Sequence, residues 1–282
     1  MDKQYSSRTK KRFGQHWLQS DRVLDQIANA AELNSSDRIL EIGPGTGVLT
    51  RRLLGSVDSV LAVEIDKYLC KKLTKKFQEY QNFLLLQGDF LALDIPELVK
   101  PFPLFQKQTK IVANIPYNIT GLILEKLLGS ISQPNTKDYE SIVLLIQKEV
   151  GDRLTANPST KEYGALSVRI QYLASCEKIC DVPAKAFYPP PKVDSVVVRL
   201  RPHTLSNPAE NVRQLETLVK LGFSSRRKML RNNLKSVIEV DDLNNLLEKL
   251  DINPQSRAED LSLENWISLS NSFPCAEVIS NK

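Results

Sequence analysis

The sequence predicts an α/β fold, a parallel sheet with crossover helices, followed by a small all-α domain. Three observations carry that expectation. Between residue 20 and about residue 150, short apolar runs alternate with helical spacing at the pace of βα units. The first of these runs breaks into Gly43-Pro44-Gly45-Thr46-Gly47 just before a helical pattern begins. Beyond residue 208 the β-branched runs cease and apolar residues return at helical intervals. At 282 residues the chain is long enough for about two domains of ~150 residues each. We place them at 1–204, an N-terminal arm with the sheet, and 205–282, the helical domain. The division falls in Arg201-Pro202-His203-Thr204-Leu205-Ser206-Asn207-Pro208, whose prolines and small polar residues read as a linker.

Arg38-Ile39-Leu40-Glu41-Ile42 is the first strand, and Val48 to Leu54, after the glycines, has helical spacing. Further strands are expected at Ser59 to Val63, Phe83 to Leu86, Lys110 to Ala113 and Ser141 to Ile146, all short apolar runs of the kind a sheet covered on both faces requires. Helices of about three turns fit between most of them. One carries Lys67, Lys71, Lys72, Lys75 and Lys76 above Leu69, Leu73 and Phe77, the solvated face of an amphipathic helix. Val193 to Leu200 is rich in β-branched residues and follows a proline run, which predicts a late strand at the sheet edge. In the C-terminal part, Leu215, Leu218, Val219, Phe223, Leu246, Leu247 and Leu250 mark the apolar faces of several short helices.

Composition narrows the class. With 41% hydrophobic, 25% charged and 7% aromatic residues, the chain reads as an ordinary soluble globular protein and not as a disordered or fibrous one. No apolar run approaches the ~20 residues that span a bilayer. The first twelve residues are polar and basic with no apolar segment behind them, so neither export nor a membrane is expected and the chain is assigned to the cytoplasm. Cys70, Cys176, Cys180 and Cys275 include no Cys-x-x-Cys pair, and His16 and His203 are the only histidines. Reduced thiols and no metal are expected.

Several strand ends carry residues suited to binding and chemistry. In Glu41-Ile42-Gly43-Pro44-Gly45-Thr46-Gly47, Gly43, Gly45 and Gly47 let a ligand approach the backbone at a helix N-terminus. A nicotinamide fingerprint would need glycine at position 48, where this chain has Val48. Glu64 ends the second strand 21 residues after Gly43, where an acid can accept both ribose hydroxyls. Asp89, at the end of the third, is placed to accept an exocyclic adenine amine. These three strand ends together resemble the S-adenosylmethionine site of Rossmann-like methyltransferases.

The fourth strand ends in Asn114-Ile115-Pro116-Tyr117, which resembles the Asn/Asp/Ser-x-Pro-Tyr/Phe motif of amino-methyltransferases. An adenine N6 amine has its lone pair delocalised into the ring and is a poor nucleophile. Two acceptors, the Asn114 side-chain oxygen and the Ile115 carbonyl, can each take one N6 hydrogen and orient the lone pair. Tyr117 can stack on the base, a task that does not call on its hydroxyl. Phe187, in Phe187-Tyr188-Pro189-Pro190-Pro191, is the candidate second wall for a flipped base.

Taken in order, Phe13-Gly14-Gln15-His16-Trp17-Leu18, the glycine loop, Asn114 to Thr120, Gln147-Lys148-Glu149-Val150 with Arg153-Leu154, Tyr163-Gly164-Ala165-Leu166-Ser167-Val168, Phe187 to Ser195 and Arg226 to Leu234 resemble the ribosomal RNA adenine N6-dimethyltransferases over roughly residues 8 to 270. The resemblance implies a Rossmann-like S-adenosylmethionine-dependent methyltransferase domain, a segment Phe13 to Leu18 that closes over the cofactor, and contacts to it from His16 and Leu18. Gln147 to Leu154 followed by Tyr163 to Val168 looks like the branch acting on two adjacent adenines near the 3′ end of 16S rRNA in the small ribosomal subunit or its assembly precursor. The alternatives are the macrolide-resistance branch acting on 23S rRNA and a mainly non-catalytic ribosome-assembly factor. An intact glycine loop and Asn114 to Tyr117 favour chemistry over mere binding. The partner is then RNA, the protein a monomer.

The net charge of +5 is too small to announce nucleic acid by itself, and its distribution says more. Lys10, Lys11 and Arg12 sit in a basic N-terminal arm. Residues 220 to 235 hold Lys220, Arg226, Arg227, Lys228, Arg231 and Lys235 with no acid. On a helix, 227, 231 and 235 share one side, and phosphates are the expected partners.

Overall fold

The computed structural model describes residues 15–135 and 139–274. By its internal contacts the chain forms two units. Their described parts comprise 15–127, 139–151 and 176–202 in the first, and 128–135, 152–175 and 203–274 in the second. The expected boundary at 204 falls beside the last of these breaks. The second unit, however, also gathers 128–135 and 152–175.

The first unit is built on a seven-stranded sheet. A short strand β1 (Trp17–Leu18) and helix α1 (Asp21–Ala30) lead into β2 (Arg38–Ile42), α2 (Val48–Leu54), β3 (Ser59–Glu64), α3 (Lys67–Lys76), β4 (Phe83–Gln87) and α4 (Ile95–Leu98). Then follow β5 (Lys110–Asn114), α5 (Thr120–Leu128), β6 (Ser141–Gln147) and α6 (Lys148–Leu154). After α7 (Ala165–Leu173), which belongs to the second unit, come β7 (Ala174–Val182), β8 (Phe187–Tyr188) and β9 (Ser195–Pro202). The spatial order is β4-β3-β2-β5-β6-β9-β7, while β1 and β8 form a separate antiparallel pair.

The pairings β2 with β3, β3 with β4, β2 with β5 and β5 with β6 are all parallel. Their apolar runs are buried along nearly the whole of β2, β3, β5 and β6, as helices covering both faces demand. The chain steps from β2 outward to β4, then returns to the other side of β2 as β5. That reversal opens a crevice at the carboxyl ends of the strands, where open α/β sheets bind their ligands.

The late strand departs from its expected place. β9 lies inside the sheet between β6 and β7, antiparallel to β6, with Ser195 opposite Gln147 and Leu200 opposite Ile142. The edge belongs to β7, whose polar, part-exposed sequence Ala-Ser-Cys-Glu-Lys-Ile-Cys-Asp-Val hides a strand from periodicity alone. The hydrophobic run of β9 is the reason: Val196, Val197, Val198 and Leu200 are fully buried, which only an interior strand permits.

At the amino ends of the strands Lys110 and Asp37 form a buried pair. Lys110 Nζ lies 2.8 Å from Asp37 Oδ2 and donates to the Glu32 carbonyl at 2.7 Å. The Asn34 amide donates to the same Asp37 oxygen. Both charges are therefore satisfied within the fold, which fixes the turn from α1 into β2.

The second unit packs α7, α8 (Val212–Gly222), α9 (Leu230–Leu234), α10 (Val240–Lys249) and α11 (Leu263–Ser272) around Trp266 and Tyr163, both fully buried. Phe223 bridges the two rings, with centroids 6.3 Å from Tyr163 and 5.7 Å from Trp266. A Cβ at Gly222 would stand 2.4 Å from the indole, so glycine lets α8 approach it. Asn211 caps α8 and Ser262 caps α11.

Lys110→Ala is expected to lower stability by about 3 kcal/mol, because it leaves the Asp37 carboxylate buried without its cation. Urea unfolding of the two proteins measures the difference. A loss below about 1 kcal/mol would mean that the pair is solvated.

Candidate active site

The pocket at the carboxyl ends of the strands is lined by residues of the segment around β1 and of the junctions that follow β2, β3, β4 and β5. They include His16, Trp17 and Leu18; Glu41 to Thr46; Glu64 and Ile65; Gly88 to Phe90; and Asn114 to Tyr117. The structure thus gathers around one cavity His16, Leu18, Gly43, Gly45, Glu64, Asp89, Asn114, Ile115, Pro116 and Tyr117, ten of the residues singled out in the sequence.

The glycine loop is held open by its backbone. Gly45 has φ +60°, and a Cβ there would lie 2.6 Å from the Trp17 ring, which covers the loop. Gly47 has φ +73° and caps α2, and its Cβ would strike Phe77 and Leu73. The third glycine therefore serves the packing of α2 against α3. The Lys76 ammonium donates to the carbonyls of Thr46 at 2.7 Å and Gly47 at 3.2 Å, fastening the loop from α3.

Glu64 does more than face a ligand. Its carboxylate accepts from the Gly45 amide at 3.1 Å through Oε2 and from the Asp66 amide at 2.9 Å through Oε1, so it ties the end of β3 to the loop after β2. It is buried, and burial raises its pKa against the lowering effect of those amides. Each oxygen keeps a further lone pair for a donor. Asp89 is exposed at the rim, and its Oδ1 accepts from the Leu91 amide at 2.9 Å. Lys126 of α5 donates to the carbonyls of Phe90, Leu91 and Leu93 and holds this loop in place.

At the end of β5, the Asn114 side-chain amide makes no hydrogen bond with any described residue, and no described group donates to the Ile115 carbonyl. Among the described residues both acceptors are free, at the end of the strand that pairs with β2 and so beside the glycine loop. The Asn114 carbonyl lies 3.7 Å from where a Gly43 Cβ would be, so the two loops approach closely. Tyr117 begins a 3-10 turn, and its hydroxyl is not idle: it hydrogen-bonds Ser195 Oγ at 2.6 Å. Burial raises the phenol pKa. The His16 ring stacks near Tyr117, with centroids 6.1 Å apart and planes 19° apart, and its Nδ1 donates to the Pro189 carbonyl at 2.7 Å.

Glu41 is the residue that sequence reasoning passed over, reading it only as part of a strand. It is 1% exposed, lines the pocket, and its Oε2 has no hydrogen-bond partner. Burial pushes its carboxyl up to about 8; the Glu64 charge adds to this, while Lys76 and the nearby Thr50 hydroxyl, which meets no hydrogen-bond geometry itself, oppose it. A sequence signal existed: an acid inside an otherwise apolar buried strand, one residue pair before the loop. An orphaned carboxyl oxygen, a second acid joined to the loop, and backbone left bare by glycine fit a bound molecule with a cationic group and ribose hydroxyls. The cofactor implied by the resemblance has both.

Other expectations land elsewhere. Phe187 is 3% exposed and belongs to the hydrophobic core with Leu18, Leu24 and Ile27, because β8 pairs with β1 and turns that side chain inward. Its ring does not line the pocket; the exposed aromatic beside it is Tyr188. The basic stretch is not one helix. Met229 is extended and bridges to Arg257, and Leu230 N bonds to the Ser256 carbonyl, so α9 starts only at Leu230 and Arg227 and Lys228 lie in the turn before it. Both are exposed. Arg226 differs from them: its guanidinium pairs with Glu259 at 2.7 Å and donates to the carbonyls of Lys161 and Tyr163. Lys10, Lys11, Arg12 and Cys275 lie outside the described residues. Among the described residues Cys70, Cys176 and Cys180 form no disulfide, and burial raises the first two thiols to about 11 and about 12. Among the described residues, no three His, Cys, Asp or Glu side chains are placed to hold a metal, and no helix is long and apolar enough to cross a membrane.

Comparison with known proteins gives concordant matches. The family described as ribosomal RNA adenine dimethylase matches residues 6–274. The ribosomal RNA small subunit methyltransferase A of Nostoc punctiforme is 62% identical over 275 residues, covering 95% of this chain and 96% of that protein. Its counterpart in Synechocystis is 54% identical, covering 95% and 97%. Among solved structures, a dimethyladenosine transferase from Plasmodium falciparum superposes with a TM-score of 0.74 at 29% identity, covering 90% of this chain and 96% of that one. The 23S rRNA methyltransferase ErmE gives 0.72 at 26%, covering 90% and 98%.

Glu41 makes stability depend on pH in a defined direction. Its folded-state pKa of about 8 lies above the ordinary 4.5, so the folded chain holds the extra proton between those values. The associated stabilisation is complete below the lower value and is lost as pH rises through the upper one. Glu41→Gln cannot titrate. Urea midpoints measured at pH 5 and pH 8.5 are expected to shift in favour of Glu41→Gln at the higher pH; a constant difference would place the carboxyl in contact with water.

Proposed function

The chain belongs to the ribosomal RNA adenine dimethylase family, and from that premise we propose that it transfers methyl groups from S-adenosylmethionine to N6 of two adjacent adenines near the 3′ end of 16S rRNA, giving N6,N6-dimethyladenosine. It is an S-adenosylmethionine-dependent rRNA methyltransferase. The relatives named for the small subunit, at 62% identity across nearly the whole chain, support that subunit over the large one. The observation that carries the chemistry is the pair of free acceptors, the Asn114 amide oxygen and the Ile115 carbonyl, side by side at the end of β5 in the wall of the same pocket as the glycine loop.

When bound, S-adenosylmethionine supplies a methyl group on a positively charged sulfonium sulfur. Gly43 and Gly45 would offer bare backbone to it, Glu64 would accept from its ribose and Asp89 from its adenine, with His16 and Leu18 as further contacts. The Glu41 oxygen is an acceptor for a cationic end. Asn114 and Ile115 each take one hydrogen of the target amine, which turns its lone pair out of conjugation and toward the methyl. Pro116 fixes the backbone between them and Tyr117, whose ring is the stacking surface for the base. No general base is needed, since the product ammonium is acidic enough to lose its proton to water.

RNA is held by phosphate contacts from Arg227, Lys228 and Arg231, with Lys10, Lys11 and Arg12 of the arm as a further set. Arg226 is the least available of these, being engaged with Glu259. We place the protein in the cytoplasm as a monomer acting on the small subunit or its assembly precursor.

Incubation with labelled S-adenosylmethionine and, separately, small-subunit particles, large-subunit RNA and DNA, followed by digestion to nucleosides, is expected to yield dimethyladenosine from small-subunit particles; label confined to large-subunit RNA would overturn the subunit assignment. Asn114→Ala should lower kcat by more than it alters either KM. Near-normal turnover would move the chemistry elsewhere. Charge reversal at Arg227 and Arg231 should weaken binding to small-subunit particles and flatten its salt dependence by roughly 1 unit of log–log slope per lost contact, with cofactor affinity unchanged. An unchanged slope would assign docking to another surface.

A further inference from the structure

The geometry points to Ser195 as a positioning residue that sets the ring of Tyr117 through their mutual hydrogen bond. This rests on the reading of Tyr117 as the surface on which the target base stacks.

Ser195 is the first residue of β9, fully buried, and opposite Gln147 of β6. A residue there needs only to be small; nothing in the ladder calls for a hydroxyl. Yet Ser195 carries one, and Tyr117 is its partner among the described residues, at 2.6 Å. Without the phenol it would be a buried, unpaired polar group, which costs free energy. Tyr117 itself follows Pro116, so its backbone is anchored at one end of the side chain while the hydroxyl is anchored at the other. A phenol has only two side-chain torsions. Fixing both ends fixes the plane and depth of the ring. The His16 ring lies alongside and is itself tied to the Pro189 carbonyl, so the ring of Tyr117 is also flanked.

Position matters more than contact in such a site. The amine must meet a methyl along one axis, and the base that carries it takes its orientation from the ring beneath it. A ring free to tilt would still bind the base but would present N6 off line. The loss should therefore appear in kcat, with KM for the particle and cofactor affinity little changed. The pairing of β9 with β6 is what makes this possible, since its register sets Ser195 opposite Gln147 at the end of the strand that neighbours β5.

The test is a double-mutant cycle of Tyr117→Phe and Ser195→Ala, assayed on small-subunit particles, with cofactor affinity by calorimetry and the melting temperature of each protein. Each single variant is expected to lose about 3- to 10-fold in kcat and the double variant no more than the worse single, with cofactor affinity unchanged; the melting temperature should fall in Tyr117→Phe, which leaves the Ser195 hydroxyl buried and unpaired, and recover in the double variant while kcat does not. Wild-type kcat in either single variant, or losses that multiply in the double, would overturn the inference, as would a kcat that recovers together with the melting temperature in the double variant. Tyr117→Ala separates this inference from the one beneath it. Wild-type turnover in Tyr117→Ala overturns both, whereas an inactive Tyr117→Ala beside fully active Tyr117→Phe and Ser195→Ala overturns the positioning role alone.

Discussion

The carboxylate of Glu64, held between the amides of Gly45 and Asp66, joins the ends of two neighbouring strands into one rim. A glycine loop with positive φ at three positions has little reason of its own to hold one shape. The carboxylate supplies that reason, and it is reinforced by Lys76 on the loop carbonyls and by Trp17 over Gly45. Because the charge is buried, its two amide partners are needed for it to exist there at all. The same arrangement keeps backbone exposed to the pocket, as a ligand that binds through its ribose and its charge requires. Glu41, one strand nearer the centre, has an Oε2 without a hydrogen-bond partner among the described residues, and burial pushes its carboxyl up to about 8.

The part of the wall at the end of β5 obeys a different constraint. There the groups left without partners among the described residues are the Asn114 amide and the Ile115 carbonyl, where the chain leaves the ladder. Freedom at the acceptors is paired with restraint around them. Lys126 ties α5 to the loop that bears Asp89, Pro116 stiffens the turn, and Ser195 meets Tyr117 from across the sheet. These acceptors stay unsatisfied among the described residues, while the backbone that carries them is held from several directions.

The second unit contributes a surface instead of a pocket. Its core is aromatic, with Tyr163, Phe223 and Trp266 in sequence-distant contact. The basic stretch is divided by what the fold needs. Arg226 is used internally to hold residues 161 and 163 beside Glu259, while Arg227 and Lys228 remain exposed at the surface.

Adjacent basic residues in a sequence carry no mark that tells these roles apart. What the sequence by itself determined lies in short-range pattern: continuous apolar runs made β2, β3, β5 and β6 legible, and the strand-end positions of Gly43, Gly45, Glu64, Asp89 and Asn114 followed from them. Residues at the carboxyl ends of parallel strands must converge, so naming the strands located the pocket. What only the tertiary structure decided depends on pairing between distant segments. The polar strand β7 exists because β9 offers it an edge, and β9 is interior because β6 pairs with it. Phe187 turns into the core because β8 meets β1, the basic helix is cut short because Met229 bridges Arg257, and the Tyr117 hydroxyl finds Ser195 from 78 residues away. Local spacing constrains a residue's neighbours along the chain; only the closed fold supplies those across it.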